Sequence, residues 1–153
     1  MSAAEDFNRY FAECPLVAII RGVAPAEAQD IAGALIEGGI RIIEVPLNSP
    51  QPFESIRLIA EAFGDQALVG AGTVLDPSDV ASVRIAGGRL IVSPNTNLDV
   101  IRATVAAGMV SLPGYFTPSE AFAAIQAGAH SIKLFPAVAA SPRPTAAPAG
   151  AAR

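Results

Sequence analysis

Leu16-Val17-Ala18-Ile19-Ile20-Arg21-Gly22-Val23-Ala24-Pro25 is the stretch on which the fold turns. Leu16–Ile20 is an apolar run rich in β-branched residues and reads as a strand. Arg21-Gly22 is a turn, and Pro25 opens a helix at its first turn, where the missing N–H costs nothing. Strand, short turn and helix in succession are the unit of a parallel sheet covered by helices. Two architectures use that unit, an open doubly wound sheet and a (β/α)₈ barrel. The open sheet usually carries a G-x-G-x-x-G turn after its first strand. Here the turn is Arg21-Gly22-Val23-Ala24-Pro25, without that pattern. Polar residues recur instead at the carboxyl ends of strands, namely Arg21, Glu44, Thr73 and Ser93. Barrels build their sites there. The fold class expected is α/β, of the (β/α)₈ TIM-barrel type.

The unit repeats outward from this stretch. A short amphipathic helix over about Ala3 to Ala12 precedes it and ends before Pro15. The helix from Pro25 stops at Gly38-Gly39, a usual carboxyl-terminal signal. Ile40–Val45 reads as strand two, and Pro50 as the start of the next helix. Leu68–Ala71 is strand three, followed by an Asp76 cap with Pro77 in the first turn. Leu90–Ser93 is strand four and Asp99–Ala107 its helix. Val110–Leu112 is strand five. Thr117, Pro118 and Glu120 form a capping-box sequence for the sixth helix. Ser131–Phe135 is strand six.

That gives about six strand–helix units plus an amino-terminal helix, in a barrel domain over residues 1–136 that is incomplete. The remainder, residues 137–153, is rich in alanine and proline and lacks periodicity, so it is expected to be disordered. Its composition resembles a GC-rich gene read out of frame. The expectation is a carboxyl-terminal truncation or frameshift.

Composition narrows the function classes. Of 153 residues, 52% are hydrophobic and 16% charged, in keeping with strands buried on both faces. The net charge of −4 argues against a nucleic acid or an anionic membrane as partner. No apolar run approaches the ~20 residues of a membrane-spanning helix. The start of the chain lacks the apolar core of a signal peptide. The single cysteine, Cys14, permits no internal disulfide. The expected location is the cytoplasm. No Cys/His/Asp cluster has metal-ligand spacing, so no metal and no cofactor is expected.

Two charged residues stand inside apolar strands. Lys133, in Ser131-Ile132-Lys133-Leu134-Phe135-Pro136, is the only lysine. Glu44 lies in Ile42-Ile43-Glu44-Val45-Pro46. Strand alternation sets each of them on the face opposite its apolar neighbours. If those neighbours meet the helices, both charges point into the barrel. A buried carboxylate and a buried ammonium are costly alone and tolerable together, which is one reading of the pair. The other is a lysine made nucleophilic by desolvation beside an acid–base partner. Thr73 follows Gly70-Ala71-Gly72, where small residues admit close approach to the backbone. Arg21 offers a fork for a carboxylate or phosphate.

Taken together these stretches resemble the bacterial 2-keto-3-deoxy-6-phosphogluconate and -galactonate aldolases. The likeness runs from about Pro15 to Pro136. It rests on Val17–Gly22, on Ile43–Pro50, on Val69–Val74, on Val92-Ser93-Pro94 and on Ile132–Pro136, in that order. Pro46-Leu47-Asn48-Ser49-Pro50 is similar to the phosphogalactonate branch. The other branch usually carries an arginine where this chain has Asn48.

The resemblance implies a metal-free class I aldolase, with Lys133 forming the Schiff base and Glu44 as general acid and base. Arg21 and Thr73 would bind the pyruvate portion of the substrate, and Pro94 and Phe135 would line its pocket. The partners implied are a phosphorylated keto sugar acid and further copies of the chain, as a trimer. Relatives continue for two more strand–helix units with phosphate-binding loops, which this sequence does not show. Three alternatives stand beside the galactonate reading: a 2-keto-3-deoxy-6-phosphogluconate aldolase, an inactive barrel fragment, and another barrel enzyme whose lysine is a base without forming an imine.

Overall fold

The computed structural model describes residues 2–140. Its strands are β1 (Val17–Ile19), β2 (Ile42–Pro46), β3 (Leu68–Gly72), β4 (Leu90–Val92), β5 (Val110–Leu112), β6 (Gly114–Tyr115) and β7 (Lys133–Leu134). Its helices are α1 (Ala3–Glu13), α2 (Pro25–Glu37), α3 (Pro52–Phe63), α4 (Pro77–Ile85), α5 (Leu98–Ala106) and α6 (Pro118–Gln126). β1 to β5 form one sheet in sequence order, every neighbour parallel. β6 and β7 pair in parallel beside it. Strand–helix alternation therefore gives the parallel, helix-covered sheet of the barrel type that the first turn pointed to.

The two faces of the sheet are buried by different partners. Ile43, Val45, Val69, Ala71 and Ile91 pack outward against the apolar stripes of α2 to α5, among them Ile36, Ile56, Ile59, Val83 and Val100. Ile42, Leu68, Leu90, Val92, Val110 and Leu112 point the other way and meet Ala3, Phe7 and Tyr10 of α1. The amino-terminal helix thus closes the inner face. Three features fix it there. Ser2 and Glu5 make a reciprocal capping box, of a kind worth about 1 kcal/mol. The Tyr10 hydroxyl donates to the Asp65 carbonyl at 3.2 Å. The buried Asp6 accepts from Arg89 at 2.7 Å, across 83 residues of chain.

Several boundaries differ from those expected, each for a local reason. α3 begins at Pro52, because Gln51 adopts the left-handed region (φ 43°) and so ends the turn started at Pro50. Strand two starts at Ile42 and runs through Pro46, in register with Leu68–Gly72. The fifth strand has the bounds expected, Val110–Leu112, and a further short strand, β6, follows it beyond Pro113. The expected sixth strand, Ser131–Phe135, is reduced to Lys133–Leu134. Pro113 has no N–H to give, and the Ser111 amide is taken by His130 Nδ1 at 3.2 Å. The ladder therefore begins only where the Lys133 amide reaches the Pro113 carbonyl, at 2.9 Å. Leu134 is 40% exposed, so this strand is not buried as expected.

The sixth helix carries the capping box of Thr117 and Glu120. Ala137–Ala139 forms a single 3₁₀ turn. The rest of the expected disordered tail, 141–153, lies outside the described residues. Among the described residues, no helix is long and apolar enough to cross a membrane.

Candidate active site

Glu44 sits in the middle of β2, where every residue is buried. Its neighbours Ile43 and Val45 belong to the outer core, so its side chain points inward. Lys133, the first residue of β7, is half-buried. The two side chains line one cavity of about 250 Å³, whose apolar wall includes Phe11, Ile19, Val92 and Leu112. Strands far apart in sequence thus bring the only lysine of the chain and the only strand-borne acid among the described residues to a common space. Ile132 also lines this space, so the strict alternation expected around Lys133 holds only for Leu134.

The electrostatics follow from the burial. Desolvation raises the Glu44 carboxyl to about 7, against the opposing pull of Lys133 and then of Arg21. Glu44 Oε2 is buried with no hydrogen-bond partner. Desolvation likewise lowers the Lys133 ammonium from its ordinary value; Glu44 opposes this and Arg21 adds to it. The pair is coupled through space without forming a direct ion pair. Both groups are therefore brought toward neutrality, the carboxyl upward and the amine downward. That is the arrangement required of a proton carrier beside a nucleophilic amine.

The remaining candidates fall around this pair. Arg21 is exposed in the turn after β1, and its charge acts on both Glu44 and Lys133. Thr73 follows β3 with φ 58°, a left-handed conformation that strains a β-branched residue. Phe135 follows β7 directly, with Lys133 Nζ 5.0 Å from its ring centroid. Pro94 is half-buried, and its carbonyl stands where a side chain at Gly114 would lie. Arg21, Thr73, Pro94 and Phe135 do not line the Glu44–Lys133 cavity itself.

Two features escaped the reading of the sequence. The small residues of Gly70-Ala71-Gly72 make room for protein: a side chain at Gly72 would occupy the place of the Glu44 carboxylate, and one at Gly70 the place of the Leu90 backbone. Phe11 of α1 walls the cavity. Its place on an amphipathic helix gave no sign of that. Three His, Cys, Asp or Glu side chains do not come together anywhere among the described residues in a way that would hold a metal ion.

Parallel strands wound by helices, with a lysine and a carboxyl lining one inner cavity, define a protein of the (β/α) barrel type. The chain belongs to the KDPG and KHG aldolase family, whose model matches residues 8–142. It is 51% identical over 130 residues to a Rhizobium meliloti (strain 1021) protein named "Probable 2-dehydro-3-deoxy-6-phosphogalactonate aldolase", covering 85% of this chain and 61% of that one. It is 49% identical over 129 residues to the 2-dehydro-3-deoxy-6-phosphogalactonate aldolase of Escherichia coli (strain K12), covering 84% and 63%. The chain therefore spans about six-tenths of the length of these relatives.

Among solved structures, one described as "Native KDPGal structure" superposes with a TM-score of 0.83 at 48% identity, over 85% of this chain and 63% of that one. The KDPG aldolase from Legionella pneumophila, with pyruvate captured at low pH as a covalent carbinolamine intermediate, gives 0.78 at 33% identity, over 86% and 63%.

Proposed function

We propose that the chain carries the reaction centre of a class I aldolase cleaving 2-keto-3-deoxy-6-phosphogalactonate to pyruvate and glyceraldehyde 3-phosphate. The observation that carries this reading is the single cavity faced by Glu44 and Lys133. Neutral Lys133 attacks the C2 ketone to give a carbinolamine. Loss of water then leaves a protonated imine. Glu44 gives and takes the protons of these steps, directly or through one water. It next accepts the proton of the C4 hydroxyl. The C3–C4 bond breaks, its electron pair passes toward the imine nitrogen, and the aldehyde leaves. Protonation of the enamine at C3 and hydrolysis of the imine release pyruvate and restore Lys133. Arg21 and the Thr73 hydroxyl hold the pyruvate carboxylate, while Pro94 and Phe135 border the pocket.

The galactonate epimer is favoured because the relatives at 49–51% identity bear that name, whereas the phosphogluconate aldolase from Legionella stands at 33%. A cytoplasmic trimer free of metal and cofactor completes the reading.

The test uses the fact that Lys133 is the only lysine. Borohydride reduction in the presence of pyruvate should add mass to the peptide that contains Lys133, and the amino terminus is the only competing amine. A folded chain without that adduct would exclude the Schiff-base role. Pyruvate release from the galactonate and gluconate epimers, assayed side by side, tests the choice of substrate.

A further inference from the structure

The turns that follow β1 and β2 are joined by one buried side chain. Ser49, only 7% exposed, accepts a hydrogen bond through Oγ from the Gly22 amide at 3.1 Å. Gly22 has φ +78° and open space where a side chain would be. Its backbone conformation, and not crowding, is what calls for glycine there. The β1–β2 ladder reaches no further than Ile19 opposite Glu44, with the Ile20 amide on the Glu44 carbonyl at 3.1 Å. Arg21 follows directly. Ser49 is itself tied to the end of β2, its amide donating to the Pro46 carbonyl at 2.9 Å. One side chain therefore couples the turn that carries Arg21 to the strand that carries Glu44.

We propose that Ser49 is a positioning residue, which sets the Arg21 guanidinium against the substrate's carboxylate by holding the Gly22 amide. The proposal rests on the reading of Arg21 as the carboxylate-binding group. The same construction recurs two strands further on. Ser93, 3% exposed, donates from Oγ to the Val74 carbonyl at 2.8 Å, beside the strained Thr73. In both places a buried serine just past one strand bonds the backbone of the residue that follows a proposed carboxylate ligand on another, accepting at Gly22 and donating at Val74.

The experiment measures the pyruvate concentration giving half-maximal borohydride-trapped adduct on Lys133, in the native chain, Ser49→Ala, Arg21→Gln and the double variant. Ser49→Ala should raise that concentration about fivefold, the weight of one buried hydrogen bond. Ser49→Thr, which keeps the hydroxyl, should stay within about twofold of native, since that bond is retained. In the Arg21→Gln background, Ser49→Ala should add nothing. An equal rise in both backgrounds, or no rise in either, overturns the proposal. Should Ser49→Ala not fold, Ser49→Cys takes its place, because sulfur is a weak acceptor.

A second measurement is independent of the adduct. Arg21 lowers the Glu44 carboxyl, so Ser49→Ala should move the Glu44 titration, followed by carbon-13 NMR, upward in the native background alone. If the native chain traps no pyruvate, it is the aldolase reading that fails. The titration then decides by itself: an upward move sustains the Ser49–Arg21 link and an unmoved one overturns it.

Discussion

The Glu44 carboxylate occupies the place where Gly72 would carry its Cβ. The two residues lie on paired strands, with Glu44 opposite Gly70 and Pro46 opposite Gly72. The carboxylate thus leans across β3 and is held in a slot that only glycine leaves open. A proton carrier must be set within a few tenths of an ångström of its partner, and misplacement by about 1 Å can cost 10²-fold in rate.

Gly72→Ala is therefore expected to displace the carboxyl group while leaving most of the sheet intact. Its rate of pyruvate capture on Lys133 should fall about 100-fold, with little loss of helical circular dichroism. Unchanged capture in a folded variant would mean that Glu44 need not stand where the structure has it.

Glu44 also makes a prediction about pH. Its carboxyl is raised from 4.5 to about 7 in the folded chain, so the folded state holds this proton more tightly than the unfolded one. Its contribution to stability is complete below about pH 4.5. It is lost as pH rises from there through 7, a loss of about 3 kcal/mol. Glu44→Gln should remove this dependence and make the chain more stable than native at pH 8. The same substitution should slow imine formation by about 10² to 10⁴, the usual weight of acid–base help. Urea unfolding at pH 5 and pH 8, with trapping rates measured in parallel, checks both effects. Identical pH dependence in the native chain and the variant would contradict the burial argument.

The strand edges predict association. Among the described residues β1 pairs only with β2, and β7 only with β6. Leu16 and Ile19 beside the first edge are each 56% exposed, and Phe135 beside the other is 45% exposed. Unpaired edges next to apolar side chains recruit further chains. Sedimentation velocity should show mass rising with concentration, and the double change Ile19→Lys with Leu134→Lys should reduce it. A monomer at every concentration would show that these edges are covered in solution.

Much of this protein was legible in the sequence because it depends on local rules. Alternation of apolar runs with helix caps placed the strands and helices in order. Asp76 with Pro77, and Thr117 with Glu120, cap helices as their spacing requires. Alternation within Ile42–Pro46 alone was enough to turn Glu44 away from the helices. Other features were decided only when distant segments met. The missing N–H of Pro113 and the capture of the Ser111 amide by His130 shorten the last strand, and this depends on which neighbour β5 and β6 acquire. Gly72 is small because of a carboxylate on another strand, and Ser49 is buried because its partner is 27 residues away at Gly22. Neither contact has a periodicity or a local motif, since it arises from strand register. Sequence determined which groups the chain has for chemistry, while desolvation in the tertiary cavity decided that the Glu44 proton is held near pH 7 and that the Lys133 ammonium is weakened.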